Sequence, residues 1–498
     1  MASRTIAYRL YIDWDFDGSY TDESAYLESA RGDMRLAAPE SAITAGGGIV
    51  SSMTLTLRNP DGRFSPLRTD GALYAYLQNG GGYHAPCYLE VSIDGGSNYY
   101  RVFTGVLKLP SETTLSTKEN PKVVIEARSR EEIYLQKRAS TAQADFAAAH
   151  DGGYTEADYI YEWLVDVAGV AAGDVTMDSG IFSIPWAWLD DESPIEDAWS
   201  LAAACGGRLY ADPDGEFRFE NLAHWQTAAR SLTSQATFTR DEIGGTVALR
   251  YDDSELFNII TVEAAPRAAG GIDVLWEPDD VPVIAPQSTK VMTARFDAPA
   301  YAISGLEFEA YDDGGNGQTA NVTVTPTYYA QSASLSIANG SDMRVHLYPL
   351  RIVGQPIVGG PEIEESRNAA DDGTNGAFFA DRGDRTRAVR GNPYIQSAAQ
   401  AGTLAQFLLD RHEDPRLTIT LRDAQGQPAL RLSDRITVTD AATMSSSQAC
   451  YVLAINWSLD KSFRQTIEAV QAASMYPNDG NYFVLGTHDF TSNRYVFY

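Results

Sequence analysis

The chain has 498 residues, which is enough for roughly three domains, because a single hydrophobic core seldom grows beyond about 250–300 residues. Its 38 Lys and Arg stand against 67 Asp and Glu, and the resulting net charge of −29 argues against nucleic-acid binding because it repels a phosphate backbone. Aromatic residues make up 11% of the chain and glycines number 41, so we expect a mainly β protein built from many short strands.

The cysteines and the apolar runs place further limits on the chain. Cys87, Cys205 and Cys450 are far apart and odd in number, which indicates neither a disulfide framework nor a zinc site, and we expect them to be buried. The sequence has no run of about 18 apolar residues, and its start, MASRTIAYRL, lacks the apolar segment of a signal peptide. These features predict folding in a cytoplasm, without a membrane-spanning segment.

Residues 1–135 are predicted to form one β-barrel or β-sandwich. In MTLTLRNPDGRFSP, apolar residues at positions 53, 55 and 57 alternate with polar ones and stop at an Asn-Pro-Asp-Gly turn. A Gly-Gly hairpin signal divides CYLEVSIDGGSNYYRVFTGVL into two strands, and PKVVIEARS adds another.

The segment YIDWDFDGSYTDESAY resembles a calcium-binding loop at its start. Asp13, Asp15 and Asp17 followed by Gly18 match the first half of the D-x-D-x-D-G template. The bidentate Glu of that template would fall at Ser24, and the flanking residues alternate at the strand period rather than forming helices. We therefore favour a hairpin tip with solvated carboxylates, and the three aspartates remain weak calcium candidates.

Residues 136–240 change period and predict a small α+β domain. One helix is expected in TEADYIYEWLVDVAGV, with Thr155 as N-cap and Gly169 as the stop. A second is expected in SPIEDAWSLAAACGG, where Ser193 is the N-cap, Pro194 is the first helical residue and Glu196 completes a capping box. The sequence RLYADPDGEFRFEN then predicts a hairpin.

The β pattern returns near residue 256. We assign residues 241–300 and 400–475 to a second β-barrel, interrupted at 301–399 by an inserted β-sandwich and a polar loop. A helix in IQSAAQAGTLAQFLLDRHEDP precedes the closing strands RLTITLRD, SDRITVTDA and ACYVLAINWSLD. The aromatic extension 476–498 cannot bury itself alone, so we expect it to dock on another surface.

The sequence does not assemble an active site. It contains no H-E-x-x-H, G-x-S-x-G or Walker pattern, and none of the histidines is paired at metal spacing, so we predict structural or surface roles for His84, His150, His224, His346, His412 and His488. Asp190, Asp191 and Glu192 could imitate glycosidase carboxylates, but adjacent acids point in different directions. Their position before a helix start favours a helix-terminus role.

Two kinds of short surface motif also occur. The tripeptides Arg31-Gly32-Asp33 and Arg382-Gly383-Asp384 spell an adhesion signal, which arises easily by chance and needs an exposed loop to act. Asn321 and Asn339 match the glycosylation acceptor pattern, which has no weight without a signal peptide. We give neither motif a functional role.

The order of several segments resembles the minor tail or hub proteins of long-tailed bacteriophages. The segments are, in chain order, DWDFDG, MTLTLRNPDGRFSP, FTGVL, IPWAWLDDESPIEDAWSLAAACGGRLYADPDGEFRFEN, LAQFLLDRHEDPRLTITL and LRLSDRITVTD. The likeness covers most of the chain. One departure is that Ser433-Asp434 replaces the Gly-Asp usual in this family before the closing strand.

The resemblance implies a mainly β, multi-domain hub similar in architecture to that of contractile-tailed phages. Two tube-type β-barrels per chain and three chains per ring would continue a six-fold tail tube as a pseudo-six-fold channel. An acidic lumen would let DNA slide without sticking, in keeping with the net charge of −29. The resemblance thus implies a non-enzymatic virion protein without cofactors, assembled in the host cytoplasm.

The same resemblance implies a set of partners and leaves one alternative. The expected partners are two further copies of the chain, a tail tube or distal tail protein, tip or central fibre proteins and a tape measure protein, with genomic DNA passing through without specific binding. The alternative is a β-rich carbohydrate-binding protein or glycosidase, in which Trp186, Trp188 and Trp199 line a sugar site. A sugar platform needs exposed rings, whereas the hub interpretation packs them around the helix at 194–205.

Overall fold

The structure, a computed structural model, describes residues 4–36, 48–78, 84–110, 112–114, 121–141, 145–146, 154–251, 254–369, 383–440 and 444–475. Strands outnumber helices in the described part of the chain as a whole, and they form several separate sheets. The expected mainly β, multi-domain architecture is therefore confirmed.

The described residues of the N-terminal part form strands with one short α-helix and one 3-10 turn. Its strands are β1 (Ala7–Ile12), β2 (Thr21–Asp22), β3 (Leu27–Arg35), β4 (Ser52–Arg58), β5 (Ala85–Ser92), β6 (Tyr100–Leu107), β7 (Glu112–Thr114) and β8 (Lys122–Ser129), and its helix is α1 (Ala72–Gln78). The alternation read from the sequence is real, because Met53, Leu55 and Leu57 of β4 are all fully buried. We call β1 to β8 the first unit.

A mixed region follows the first unit. Its helices are α2 (Glu131–Leu135), α3 (Glu156–Glu162), α4 (Pro194–Ala204), α5 (His224–Thr227) and α6 (Ala229–Leu232), and its strands are β9 (Asp145–Phe146), β10 (Val175–Met177), β11 (Trp186–Ala187), β12 (Arg208–Ala211) and β13 (Phe217–Glu220).

Local signals set the helix ends in this region. Thr155 and Asp158 form a capping box at the start of α3, which a π-helical turn at Trp163–Val167 extends. Gly169 and Gly206 adopt φ values of +77° and +68° beyond the helix ends, in the left-handed region that favours glycine. Pro194 opens α4 as predicted.

The remainder of the chain contains seventeen strands and two further helices among the described residues. The strands are β14 (Ser234–Thr239), β15 (Val247–Tyr251), β16 (Ile259–Ala264), β17 (Arg267–Ala269), β18 (Asp273–Trp276), β19 (Val283–Ile284), β20 (Ser288–Arg295), β21 (Ala300–Asp312), β22 (Val322–Tyr328), β23 (Ser332–Asn339), β24 (Val345–Gly359), β25 (Ile363–Asn368), β26 (Thr386–Val389), β27 (Leu417–Gln425), β28 (Arg435–Thr439), β29 (Gln448–Leu459) and β30 (Phe463–Gln471). The helices are Ala398–His412, here called the long helix, and Ala472–Met475.

One 14-stranded sheet joins strands from both ends of the chain. It contains all of the first unit together with β14, β15 and β27 to β30, which we call the second unit. A single hydrophobic core contains buried residues from both units, including Leu10 and Leu55 from the first and Ile455 and Ile467 from the second. The two expected barrel units therefore share one sheet and one core.

The two units connect their strands in the same order. Pairing in the first unit runs β1–β5–β6–β8–β4–β3, and pairing in the second runs β14–β28–β29–β30–β27–β15. Each strand of the first path therefore has a counterpart at the same position in the second path. The strands of the two units also occur in the same order along the chain. The paths differ at one end, since β14 is parallel to β28 whereas β1 is antiparallel to β5.

The structure differs from the sequence assignment in the middle of the chain. Of residues 241–300, only β15 enters the 14-stranded sheet, because β16 pairs with β25 and β26 in a separate sheet. The long helix packs on that separate sheet, and both contribute to the core of the α+β region. Apolar and polar residues alternate with a period of two in a strand of either sheet. The sequence pattern therefore could not identify the partner strands of β16.

The inserted domain occupies residues 267–359 rather than 301–399. The long strand β24 pairs with β21 on one edge and with β17, β18 and β19 on the other, and β20, β23 and β22 form a second sheet. Residues from both sheets, such as Leu335 and Ile352, form a core of their own. The polar stretch 370–382 and the extension 476–498 lie outside the described residues.

Candidate functional site

The two units meet at a strand junction between β3 and β29. Residues 30–35 of β3 pair antiparallel with residues 454–459 of β29, while the first residues of β29 pair with β28 on the same edge. The opposite edge of β29 pairs with β30 along nearly its whole length. The twelve-residue β29 therefore satisfies backbone groups of three strands from both units, and it is the connection between them.

A close side-chain contact fixes this junction. Gly32 on β3 lies opposite Trp457 on β29, and any Cβ at position 32 would overlap the buried indole ring. Arg35 adds ion pairs to Glu468 on β30 and to Asp33, both at 3.3 Å. All three side chains are partly exposed, so the ion pairs add little stability and packing dominates.

The adhesion tripeptide at Arg31–Asp33 lies within this junction. Adhesion by this tripeptide needs an exposed loop. The tripeptide instead lies inside a strand that is paired on both edges. For the second tripeptide, Gly383 and Asp384 lie just before β26, and Arg382 is outside the described residues. The structure gives neither tripeptide a reason for an adhesive role.

Two strands of the sheet, β15 at one end of the strand path and β7 beside β8, have an edge without a partner strand among the described residues. Within the described residues, β15 pairs only with β27, and β7 pairs only with β8. Leu249 and Tyr251 on β15 are 51% and 64% exposed. An edge strand with apolar side chains can accept another chain.

A polar cleft of about 400 Å³ lies between the α+β region and the second unit. The hairpin β12–β13, helices α5 and α6, and the loop before β28 line it. Arg230 makes two 2.6 Å hydrogen bonds to Asp434, and Arg431 contacts Asp214 at 2.9 Å. These pairs cross the cleft and fix the α+β region against the sheet.

Ser433 shows why this loop usually carries glycine in the family that the chain resembles. Its φ of +61° lies in the left-handed region, where a side chain is unfavourable. The hydroxyl offsets this cost by donating to Glu220 Oε2 at 2.5 Å and accepting from Trp225 Nε1 at 3.1 Å. Trp225 also stacks on Tyr451 of β29 with ring centroids 4.9 Å apart, so the cleft is tied to the strand at the junction.

His224 lies between two carboxylates in the cleft. Its Nδ1 is 2.8 Å from Asp178 and its Nε2 is 3.3 Å from Glu220. Burial lowers the pKa of His224, but the charges of Glu220 and Asp178 raise it by more, so the pKa lies above its ordinary value of 6.5. The protonated ring can then bridge the two acids.

Two other described histidines, His412 and His346, have structural side-chain contacts. His412 on the long helix contacts the carbonyl of Glu255 through Nδ1 and Arg387 through Nε2, both at 2.7 Å. Burial and the charge of Arg387 lower its pKa to about 4, so the ring is neutral at pH 7. His346 is 2.7 Å from the exposed Asp313, and His150 and His488 lie outside the described residues.

The calcium candidates Asp13, Asp15 and Asp17 do not converge as a ligand set. Asp13 is buried, and its carboxylate accepts hydrogen bonds from the backbone N–H groups of residues 17 and 18 at 3.3 and 3.0 Å. Asp15 is exposed, and Asp17 accepts from the N–H of residue 19. The carboxylates organise a hairpin tip.

Glu23, the acid one place too early for the calcium template, has a different partner. It is buried, accepts from Trp14 Nε1 at 2.8 Å and forms an ion pair with Arg63 at 2.6 Å. Its side chain thus ties the hairpin to the Asn-Pro-Asp-Gly turn. Across the described ranges, no group of three His, Cys, Asp or Glu residues is arranged to hold a metal ion.

The three tryptophans proposed for a sugar site are half-buried and packed. Trp186 donates through Nε1 to the carbonyl of Arg267 at 3.1 Å, and the Arg267 guanidinium stacks over Trp188 at 4.3 Å. Trp199 lies on α4 with its ring against Gly48. Two of the rings therefore hold the inserted domain, and none forms an open platform.

The acids before α4 also diverge. Asp191 and Glu192 are both exposed residues, and partial desolvation of the Glu192 carboxyl together with the nearby Asp197 raises the pKa of Glu192 to about 7. Cys87, Cys205 and Cys450 are buried and free, as expected from the sequence. In the described part of the chain, no helix is long and apolar enough to cross a membrane.

Comparison with known proteins supports the fold. No protein-family model and no curated protein matches the sequence. The structure is similar to the tail protein of Neisseria meningitidis MC58, with a TM-score of 0.50 and 10% identity, covering 95% of this chain and 99% of that one. The tail-protein fold expected from the resemblance is therefore confirmed.

Two further solved structures are less similar. The 43 kDa tail protein of prophage MuSo2 from Shewanella oneidensis has a TM-score of 0.47 and 12% identity, over 94% of this chain and 99% of that one. A component of the type VI secretion system of E. coli has a TM-score of 0.41 and 8% identity, over 91% of this chain and 75% of that one.

The packing at the junction yields a first prediction. Gly32→Ala is expected to lower the free energy of unfolding by about 1–3 kcal/mol, because the added methyl must displace a buried indole. Gly305→Ala in strand β21 is the control, since a Cβ there meets no atom within 4 Å. Urea unfolding of both variants measures the difference. Equal stability of the two variants would contradict the packing argument.

A second prediction concerns pH. Because the pKa of His224 is raised in the folded state, its stabilising contribution is complete below about pH 6.5 and is lost as the pH rises through the folded pKa. His224→Gln should therefore lower the melting temperature more at about pH 6 than at about pH 8.5. His346→Gln, at an exposed pair, serves as control. A His224→Gln effect that is the same at both pH values would refute the bridge.

The hairpin tip gives a third prediction. Asp13→Ala should destabilise the protein by about 1–2 kcal/mol with or without calcium, because two backbone N–H groups lose their acceptor. Asp15→Ala, at an exposed position, should change stability by less than about 0.5 kcal/mol. Thermal unfolding with and without calcium tests both. A large calcium-induced rise in melting temperature that Asp15→Ala abolishes would establish a calcium site instead.

Proposed function

We propose that the chain is a tail hub, a structural protein at the distal end of a phage tail or phage-derived particle, where it joins the tail tube to the tip. The observation that carries this proposal is the pair of units with one strand order inside a single sheet. A chain with two equivalent units can present two similar positions to a ring of higher symmetry. The tail-protein fold supports the same role.

The proposed assembly is a ring of three chains. Two units per chain, each turning about 60°, give about 120° per chain, which three copies close. The ring would then continue a six-fold tube while containing only three chains. The junction between β3 and β29 is the model for each contact between successive units.

The proposed ring surrounds the path of the genome. The net charge of −29 supports an acidic lumen, which would repel the phosphate backbone and let DNA pass without binding. Proposed partners are a tail tube or distal tail protein, tip or fibre proteins and a tape measure protein. The function is structural and needs no cofactor, and the chain would be assembled into the virion in the host cytoplasm.

A carbohydrate-binding function has less support. It requires tryptophan rings open to a ligand, but Trp186 and Trp188 are engaged with Arg267. The acids Asp190 to Glu192 lie just before α4, where Asp191 is near Arg295 and Glu192 is beside Asp197. The arrangement favours packing between domains over sugar recognition.

Electron microscopy of the assembled particle tests the proposal. We expect three copies of the chain in one ring at the tip end of the tube, with acidic side chains lining the lumen. Particles made without the chain should have tubes that lack the tip. Six copies per ring, a position away from the tube axis, or a basic lumen would each contradict a stated part of the proposal.

A further inference from the structure

We propose that the edge of β15 that has no partner strand among the described residues pairs with β7 of a second copy of this chain. This inference rests on the proposed hub function and specifies which strands of successive chains meet. It places Leu249 and Tyr251, which are exposed in the single chain, within the contact between copies.

The strand order of the two units identifies β15 as one partner. In the first unit, the path ends at β3, and the outer edge of β3 is covered by β29 of the second unit. The counterpart of β3 in the second unit is β15, which ends its path in the same way beside β27. By equivalence, the outer edge of β15 should be covered by the first unit of the next chain.

The same comparison identifies β7 as the other partner. The first half of β29, residues 448–451, pairs with β28. The second half, residues 454–459, pairs with β3. The counterpart of β29 is β6, which pairs with β5 and β8, and the chain then continues into β7 along β8. Strand β7 therefore occupies the position in the first unit that the second half of β29 occupies in the second.

The chemistry of β15 supports pairing with another strand. Natural edge strands are commonly protected by charge or by proline, as the edge strand β20 is by Lys290 and Arg295. Strand β15 also carries one exposed charge, Arg250, but the residues on both sides of it, Leu249 and Tyr251, are exposed apolar or aromatic residues that a second strand could cover. Its counterpart β3, covered on both edges, has Ala30, Gly32 and Met34 buried.

A second copy is the occupant that the topology favours. The contact proposed between chains repeats one that already exists within the chain, so both kinds of contact would turn the sheet by a similar angle and the ring could close. An unrelated partner strand would satisfy the edge of β15 but leave the equivalent edge of β7 uncovered. Pairing between copies covers both edges at once.

The experiment compares two double variants of the full chain over a range of concentrations. Leu249→Asp with Tyr251→Asp places charge on the proposed edge. Ile272→Asp with Val291→Asp makes the same change at two positions of the inserted domain that are 69% and 66% exposed. Light scattering after gel filtration measures mass, and circular dichroism checks that each variant folds. Hydrogen exchange follows residues 247–251 and 112–114.

We expect the wild-type chain and the inserted-domain variant to form trimers and the β15 variant to remain a folded monomer. Amide exchange should slow together at residues 247–251 and 112–114 in the trimer. A β15 variant that still forms trimers would overturn this pairing and leave the hub function standing. A wild-type chain that is monomeric at every concentration would also overturn the pairing, while its location in the particle decides the function separately.

A truncation after Met475 tests whether the edge of β15 is covered by a second copy or by the chain's own C-terminal extension. We expect the truncated chain to keep the trimer and the protection of residues 247–251. If the truncation exposes β15 in a chain that is otherwise folded, the extension covers this edge, and the proposed pairing between copies is overturned.

Discussion

The fold depends on the requirement that every strand of a large sheet finds a partner for its backbone groups. Strand β29 meets this requirement for strands from both ends of the chain, because its twelve residues are long enough to hold β28 and β3 on one edge and β30 on the other. A shorter β29 would hold β28 alone and leave β3 as an open edge. The single core of the two units follows, since sheets joined edge to edge can curl around one apolar interior.

The polar cleft makes the position of the α+β region depend on the same sheet. Glu220 on β13 contacts Ser433, and Ser433 contacts Trp225, which stacks on Tyr451 of β29. A shift of β29 would therefore break a buried hydrogen-bond chain, and the cost of leaving such groups unpaired exceeds the gain from making any one bond. The strand junction and the domain arrangement are thus held by one connected set of contacts.

Features that depend on neighbouring residues could be predicted from the sequence, and features that depend on distant ones could not. The capping box of Thr155 and Asp158 and the left-handed Gly206 follow from local backbone chemistry. The ion pair of Arg35 and Glu468 joins residues 433 positions apart, and no periodicity encodes that choice of partner. The polar cleft could not be predicted from the sequence either, because its residues are far apart along the chain. The replacement of glycine by Ser433 was the one sequence signal of its position.

The inserted domain illustrates how this fold can acquire new surface without changing its main sheet. The domain is inserted between β16 and β25. These two strands are antiparallel neighbours, and Ala264 at the end of β16 pairs with Ile363 at the start of β25. Its two ends therefore meet at one point outside the 14-stranded sheet, and inserting it leaves the register of that sheet unaffected. Contacts such as Trp186 with Arg267 then set the orientation of the domain. Variation in this domain would therefore leave the strand pairing of the 14-stranded sheet unchanged.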